Sequence, residues 1–492
     1  MSPAWASSAA SSARQPQSIQ PYLRQVARNI TTFRLKNGLK FIVLERHGAP
    51  VVSFLTYADV GGANEPDGQT GVAHYLEHLA FKGTRHIGGQ NYEQERQILE
   101  QQDQLFAQLQ QARSNQNAAE VARLEAEFQQ LEDQADALVI PNQMGQIVNQ
   151  EGGVGLNATT SADATQYFYS FPANKLELWM SLESDRFLEP VFREFYKEKE
   201  VILEERRMRT DNSPIGKMVE AFLDTAFVQH PYRRPVIGYE RDLRALTRQN
   251  VQDFFDNYYG PNNLTIGIVG DVNPRQVRRL AQLYFGRYPA HPGVPRLDAV
   301  EPPQTQTRTV ELKLPSQPWY LEGYHRPAMT DPDEGVYQLI ASILSDGRTS
   351  RLYKSLVEEQ QVALNAQGFN GFPGDKYPNL MLFYALSAPG HSLDEVELAL
   401  RQEIDRLKSE PVTAQELDRV KTQAKAGLLR SLDSNSGMAN LLVEYEVKTG
   451  DWRNLFRQLD RLEAVTAADI QRVAQATFSP ENRTIGRILS AE

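Results

Sequence analysis

The sequence predicts an α+β protein of two homologous sheet-plus-helices domains, with a helical hairpin inserted in the first. Three observations carry this prediction. Strand-like runs around Asn37-Gly38 lead into amphipathic helices. A Pro-rich stretch at 290–318 is typical of a linker, and the half after it coarsely repeats the order of strands and helices. A segment rich in Gln, Glu, Ala and Leu, at 90–136, interrupts the first half.

Composition supports a multidomain globular chain and excludes several classes. The length of 492 residues allows two to four domains, and an apolar content of 41% supports buried cores. The net charge of −10 argues against nucleic acid as the main partner and against a basic membrane-binding surface. Because cysteine is absent, a metal would have to be held by nitrogen and oxygen ligands. No apolar run is long enough to predict a transmembrane segment.

The N-terminal stretch 1–30 is rich in Ser, Ala and Gln and predicts a flexible tail. Its first residues lack the apolar core of a signal peptide, but small residues of this kind are typical of the region just after one. A periplasmic chain whose signal has been removed and a plain disordered tail are both open, so the sequence leaves the compartment undecided.

The first domain, 31–289, opens with antiparallel sheet. Predicted strands at 32–35 and 39–44 flank Asn37-Gly38, a strong hairpin signal. A third strand is predicted at 51–57, and a loop rich in Gly, Asn and Pro then leads to a helix.

That helix is the most informative stretch, because it contains the pattern H-Y-L-E-H from His74 to His78. In a helix, His74 and His78 lie one turn apart on one face, with Glu77 beside them. Two imidazoles at that spacing can hold one metal ion, and the carboxylate can take a proton from a water on that metal. Chance placement of the His residues gives about 0.13 pairs at this spacing. A chance arrangement on a core helix is therefore the alternative to a metal site. The neighbouring residues must distinguish the two.

The segment 90–136 is predicted as two helices joined by a break at 114–117. Apolar residues from Val121 to Leu138 step by three and four, which is the a/d pattern of packed helices. We expect an antiparallel hairpin that stands off the domain. It is either a structural arm or a contact arm for a partner or substrate, and the pattern slightly favours the structural arm.

Two later stretches supply further candidate residues. A strand pair is predicted at 152–171 and includes Asn157-Ala158. A charged helix at 194–209 carries Glu198 and Glu205, which share a face because they are about two turns apart. Taken alone, these stretches fit an ordinary edge strand and a solvated acidic helix face, and Glu204 is a rival to Glu205.

The residues around the two histidines resemble a known family. The run G-x-x-H-x-x-E-H-x-x-F-K-G-T at 71–84, preceded by G-G-A-N-E at 61–65, closely resembles the inverted-zincin peptidases of the pitrilysin family, M16. The resemblance covers most of residues 31–289. It implies a zinc (Zn²⁺) endopeptidase in which His74, His78 and a distant Glu hold the metal and Glu77 is the general base.

The family pattern extends to the other candidates. The family places its third zinc ligand at the end of an E-x6-E pattern, which implies that Glu205 is the ligand and that Glu198 orients or tunes it. Asn157-Ala158 matches an edge strand beside the zinc, to which extended substrate adds by main-chain hydrogen bonds. The separation of His78 from Glu205 exceeds the family's usual value, and removing the 90–136 hairpin restores it.

His230 is the next metal-ligand candidate by residue type, although Pro231 and Tyr232 beside it indicate a structural loop. The second domain, 319–492, contains no H-x-x-E-H pattern, as the resemblance implies.

The second half departs from the family at two positions. Family members usually carry an Arg and a Tyr after a segment like 350–356, where they help to bind substrate and stabilise the oxyanion. Here the two positions are Val357 and Leu364, which cannot donate hydrogen bonds. In one branch of the family, two chains face each other across a clam-shell chamber. One chain holds the zinc motif, and the other supplies the Arg and the Tyr. The resemblance therefore implies the zinc-bearing chain of a heterodimer with a homologous partner, or otherwise a homodimer.

Two other classes of function stay open. The chain could be a non-catalytic structural or assembly subunit with a retained zinc site. Val357 and Leu364 favour that alternative, whereas the intact H-x-x-E-H pattern and Glu205 oppose it. It could also be a binding module whose helical hairpin makes the functional contacts.

Overall fold

The computed structural model describes residues 25–491 and contains two β-sheets, each covered by helices. The tail predicted at 1–30 lies outside the described residues up to position 24. Its last part is not a tail, because residues 25–28 form a helical turn and the first strand begins at Ile30.

The first sheet has six strands within the described part of the chain, in the order β1-β2-β6-β3-β5-β4. They are β1 (Ile30–Arg34), β2 (Lys40–Glu45), β3 (Val51–Ala58), β4 (Val154–Thr160), β5 (Thr165–Pro172) and β6 (Leu264–Gly270). All pairs are antiparallel except β2 with β6. The predicted hairpin is confirmed, and Gly38 supplies its positive φ of 100°. Strand β6 is buried along its length, whereas β4 lies at the edge of the sheet.

Ten α-helices of six or more residues belong to the first half of the described chain. They are α1 (Val72–Leu79), α2 (Tyr92–Ser114), α3 (Ala118–Asp136), α4 (Gln143–Gln150), α5 (Leu176–Leu188), α6 (Phe195–Arg206), α7 (Pro214–Ala226), α8 (Glu240–Ala245), α9 (Arg248–Tyr258) and α10 (Pro274–Tyr284). A π-helical turn at Arg207–Asp211 follows α6. The main apolar core includes residues of α1, α5, α9 and α10 packed on one face of the sheet.

The second sheet has five described strands in the order β7-β11-β8-β10-β9. They are β7 (Arg308–Leu314), β8 (Trp319–Arg326), β9 (Ala363–Phe372), β10 (Asn379–Ser387) and β11 (Arg483–Ser490). The helices of this half are α11 (Glu334–Ser345), α12 (Leu393–Ser409), α13 (Ala414–Asp433), α14 (Asn435–Thr449), α15 (Asn454–Ala464) and α16 (Ala467–Thr477). The linker prediction of 290–318 is too long, because β7 lies inside it and pairs in parallel with β11.

In each half, one face of the sheet is covered by a helix that belongs to the other half. Helix α14 lies on the first sheet, where Ala439, Leu442 and Val443 share a buried cluster with strand residues of β2, β3 and β6. The approach is close at Gly267, since an added Cβ would lie 2.7 Å from a methyl carbon of Val443. This exchange buries apolar surface that neither half could cover alone.

Helix α7 makes the reciprocal contact with the second sheet. Phe222 and Met218 pack on β8 and β11, where Gly323 and Gly486 leave room for them. A Cβ added at Gly323 would lie 2.9 Å from the Phe222 ring. We therefore expect the two halves to unfold together.

The segment at 90–136 forms two antiparallel helices, as predicted, with the break at 115–117. Leu105, Leu109, Ala112 and Leu124 form a small core between α2 and α3. The expectation that the hairpin stands off the domain is wrong at its base. There Arg193 donates to Glu95 over 2.7 Å with both side chains buried.

None of the helices within residues 25–491 is long and apolar enough to cross a membrane.

The exchange of helices predicts a large effect from Phe222→Ala. Removing this fully buried ring should lower the free energy of unfolding by about 3–5 kcal/mol, because it leaves a cavity between the halves. Equilibrium unfolding in urea measures the change. The control is Leu283→Ala, since Leu283 is 63% exposed and should change the free energy by less than about 0.5 kcal/mol. Equal effects of the two substitutions would contradict the described packing of α7.

Candidate metal and catalytic site

Helix α1 is held at its first turn by the buried carboxyl group of Glu65. Glu65 accepts hydrogen bonds from the backbone N–H groups of Gly71 and Ala73, over 2.9 and 3.0 Å. Gly71 has a φ of 87°, a left-handed conformation that glycine adopts without strain. Burial raises the pKa of Glu65 to about 8, although the two N–H donors oppose the rise. Glu65 thus satisfies donors that a helix start leaves free and fixes where α1 begins.

The two histidines face α6 from one side of α1. The ring centroids of His74 and His78 lie 4.7 Å apart. Nε2 of His74 lies 3.8 Å from Oε1 of Glu205, and Nε2 of His78 lies 3.5 Å from Oε2. The structure therefore brings together the three residues that the sequence nominated as metal ligands.

Helix α6 presents Glu205, and not Glu204, to the histidines. The Glu205 side chain is 15% exposed, whereas that of Glu204 is 52% exposed and pairs with Arg207. Neighbouring helix positions point about 100° apart, so only one of the two can face α1. Arg209 also contacts Glu205, with 2.7 Å between Nη1 and Oε1.

Glu198 acts on His78 rather than on Glu205, which corrects the sequence expectation. Its Oε1 lies 2.8 Å from Nδ1 of His78, and its Oε2 lies 2.6 Å from Nζ of Lys82. The reason is geometric: Glu198 lies about two turns before Glu205 on α6, beside the end of α1. Burial raises the pKa of Glu198, but the hydrogen bonds from His78 and Lys82 outweigh it and lower that pKa to about 2.

The ionised Glu198 accepts a hydrogen bond from Nδ1 of His78 and so makes the His78 ring more basic. Burial lowers the pKa of His78, but the hydrogen bond to Glu198 outweighs burial and raises it above its ordinary value. A carboxylate on Nδ1 leaves Nε2, which faces Glu205, free to bind a metal ion.

The donor set fits a zinc ion. One ligand atom from each of His74, His78 and Glu205 lies within 4.8 Å of the others, and no other such group of three or more His, Asp or Glu occurs in residues 25–491. Tetrahedral zinc with bonds of about 2.0–2.1 Å places its ligand atoms about 3.3 Å apart, near the distances found here. Burial, with the positive charges of His78 and Arg209, lowers the pKa of His74 to about 3. His74 therefore stays neutral, the form that binds metals.

Glu77 lies beside this group and is positioned by strand β4. The hydroxyl of Thr160 donates to its Oε2 over 2.6 Å. Burial raises the pKa of Glu77 above its ordinary value, and the Thr160 hydrogen bond opposes the rise. A carboxylate with a raised pKa is a better proton acceptor near neutral pH.

Asn157 and Ala158 lie on β4, the edge strand of the first sheet, as expected. Ala158 is buried and Asn157 is exposed. The Oδ1 of Asn157 accepts a hydrogen bond from the backbone N–H of Ala158. The Asn side chain therefore shapes the strand locally.

The structure also shows the surroundings of His230, Val357 and Leu364. His230 is buried, and its Nδ1 accepts a hydrogen bond from the backbone N–H of Tyr232, so it belongs to a structural loop. Val357 packs against the core of the second half. Leu364 is 49% exposed on β9.

Sequence reasoning missed Lys82 and Thr160, and left Glu65 without a role. Thr160 carried a usable signal, since it lies two residues after Ala158 and so on the same strand face. Lys82 comes four residues after His78, in the bend that follows α1. Its contact with Glu198 depends on how α1 and α6 approach each other, which no local pattern reports.

Known families match most of the chain. A family model described as Insulinase (Peptidase family M16) matches residues 41–131 and 140–240, and one described as Peptidase M16 inactive domain matches residues 245–424. Zinc protease PqqE of Helicobacter pylori is 28% identical over 457 residues, which are 92% of this chain and 90% of that protein.

Solved structures agree with the fold. The crystal structure of a protease from Helicobacter pylori has a TM-score of 0.79 at 27% identity, covering 93% of this chain and 99% of that chain. The periplasmic protease PqqL from Escherichia coli has a TM-score of 0.69 at 17% identity, and the match covers 94% of this chain but 47% of PqqL.

The geometry predicts different effects for two neighbouring acids. Glu205→Gln should weaken zinc binding by at least about tenfold, because a neutral amide replaces a ligand carboxylate. Glu204→Gln should leave zinc binding unchanged, since Glu204 points to solvent. Titration of the zinc-free chain against a competing chelator measures both affinities. The reverse ranking would move the ligand to Glu204.

Proposed function

Because this chain belongs to peptidase family M16, at about half the length of PqqL, we propose that it is a zinc-dependent endopeptidase that hydrolyses peptides or unfolded polypeptides. One observation carries the proposal: the donor atoms of His74, His78 and Glu205 converge next to Glu77. Three protein ligands suit a catalytic zinc, which keeps its fourth position for water or substrate.

The residues of the proposed site have two roles, which are to hold the metal and to move a proton. Zinc bound by His74, His78 and Glu205 would supply Lewis-acid polarisation of the scissile carbonyl. Glu77 accepts a proton from the attacking water and then donates it to the leaving amine nitrogen. Thr160 occupies Oε2 of Glu77, which leaves Oε1 as the atom that takes the proton. Glu198 and Lys82 hold the His78 ring in orientation.

Strand β4 is the proposed docking edge for substrate. It is the outermost strand of the first sheet, and its Thr160 end touches Glu77. An extended peptide that adds to this edge would be held by main-chain hydrogen bonds along Asn157-Ala158, with its scissile bond at the Thr160 end of the strand, next to Glu77. Unfolded segments suit this mode because their backbones are free to pair.

We further propose that the active form is a heterodimer with a homologous chain, enclosing a clam-shell chamber. The supporting observation is that Val357 and Leu364 occupy positions where the family usually carries an Arg and a Tyr, and neither can donate to an oxyanion. A partner that keeps both residues would supply them across the chamber. The same observation supports the alternative, a structural or assembly subunit that retains its zinc site.

Glu77→Gln separates zinc binding from hydrolysis. The variant should keep its zinc, because Glu77 is not a ligand, and should lose at least about 10²-fold of its peptide hydrolysis, because an amide cannot accept the proton. Metal analysis and a quenched-fluorescence peptide assay on the same preparation measure both. Glu204→Gln, which changes an exposed acid on α6, is the matched control and should keep near wild-type activity. Near wild-type cleavage by Glu77→Gln would exclude this residue as the base.

The two-chain proposal predicts that the isolated chain is a slow peptidase. Loss of one oxyanion donor costs about 10²–10³ in kcat, so a chain that lacks both positions should gain at least that factor from its partner. The test measures peptide turnover by the isolated chain at several concentrations, and then with the homologous chain from the same genome. Strong turnover by the isolated chain, unchanged by the homologue, would rule the heterodimer out.

A further inference from the structure

An uncharged cavity reaches the far end of the proposed docking strand, at Val154 and Gly155. Its volume is about 440 Å³, and it opens between the outer face of strands β3 to β5 and the start of helix α14. Leu55, Val154 and Phe168 line it from the sheet, and Ser436 and Asn440 line it from the helix. The two halves of the chain therefore build this cavity together.

The cavity exists because α14 covers only part of the sheet. Along β5, Tyr167, Tyr169 and Phe171 point into the core, whereas the residues between them, including Phe168, are partly exposed. On β3, by contrast, Leu55 is buried next to α14. The outer face of β4 and β5 thus remains open beside the first turns of α14.

Strand β4 is irregular at the same place. It pairs with β5 at Val154 and again from Asn157 onward, with a register shift between them. The side chain of Val154 is 66% exposed. A bulge at an edge strand turns side chains and backbone toward a neighbouring site, and this one faces the cavity.

Strand β4 connects the cavity with the candidate active site. Strand β4 runs from Val154, at the cavity, to Thr160, which donates to Glu77. At about 3.3 Å per residue the strand covers about 20 Å. An extended peptide paired with β4 would therefore place a residue about five or six positions from the scissile bond beside the cavity.

None of the described residues that line the cavity carries a charge. A charged side chain entering it would lose hydration without gaining an ion pair, whereas an apolar one would gain from burial against Leu55 and Phe168. The volume is sufficient for a large aliphatic or aromatic side chain.

We propose that this cavity is a substrate subsite that binds a large apolar side chain about five or six residues from the scissile bond. This rests on the proposed peptidase function. The subsite would select extended polypeptides with an apolar residue at that register, on one side of the bond, and reject those with an acidic residue there.

The first test maps cleavage in peptides of about 20 residues, made of Gly, Ser, Thr, Gln and Ala with a single Phe or a single Asp at varied positions. The zinc-loaded chain is used, together with its homologous partner. Mass spectrometry locates each cleaved bond. The expected kcat/KM is about tenfold higher for Phe than for Asp at five or six residues from the bond. Equal rates at that register would overturn the proposal.

Substitutions at the cavity mouth provide the matched comparison. Ser436→Phe, at an exposed position of α14 that lines the cavity, should reduce the Phe-over-Asp preference to less than about twofold. Asn440→Phe is a second variant with the same expectation. Ser431→Phe, at an exposed serine near the end of α13 that does not line the cavity, should keep the full preference. A preference that survives both filling substitutions would overturn the proposal.

A binding measurement separates failure of the subsite from failure of the peptidase function. The Glu77→Gln chain is titrated against fluorescein-labelled peptides of the same design, and fluorescence anisotropy is read. The peptide with Phe should bind about tenfold more tightly than the peptide with Asp, whether or not the wild-type chain cleaves either. Absence of cleavage with this difference present would count against the peptidase function alone. Equal affinities would overturn the subsite.

Discussion

The contact between helices α1 and α6 sets the distance between the two histidines and Glu205. The ring of Tyr75 on α1 stacks on Phe195 at the start of α6, with centroids 4.7 Å apart. The hydroxyl of Tyr75 also donates to the backbone carbonyl of Phe195. Because His74 and His78 flank Tyr75 on α1, this buried contact holds both imidazoles against the face of α6 that carries Glu205. Glu65 then fixes the position of α1 along its own axis.

The second half of the chain contributes to the site without offering a ligand. Asp163, in the turn after β4, accepts hydrogen bonds from the backbone N–H groups of Asp375 and Lys376. This turn follows Thr160 directly, so the loop from the second half constrains the strand that positions Glu77. The exchange of α7 and α14 between the sheets holds the halves in register. The second half, which offers no ligand to the described metal site, therefore helps to orient Glu77 and strand β4.

Local patterns predicted the parts of the site that sit on single elements. The H-Y-L-E-H spacing required only a helix, and the structure provides α1 there. The spacing of Glu198 and Glu205 placed both acids on one face of α6, and the structure agrees. The prediction that Glu198 acts on Glu205 was wrong. Its partner is His78, because the contact depends on where α1 ends relative to α6.

Contacts between distant elements could not be predicted in the same way. Helices α7 and α14 look like ordinary amphipathic helices, and an apolar face does not say which sheet it covers. The donation from Thr160 to Glu77 joins residues on a strand and a helix separated by the whole helical hairpin. The pairing of β7 with β11 could not be predicted either, since β7 lies within a Pro-rich stretch that is typical of a linker.

In the proposed site, His74, His78 and Glu205 together hold one zinc ion. Anomalous X-ray diffraction from crystals of the zinc-loaded chain, recorded on both sides of the zinc absorption edge, distinguishes this arrangement from binding elsewhere. We expect one strong anomalous peak within about 2.0–2.2 Å of Nε2 of His74, Nε2 of His78 and a carboxylate oxygen of Glu205. A peak bound by other residues, or no peak among these three in crystals that contain zinc, would show that these residues do not form the zinc site.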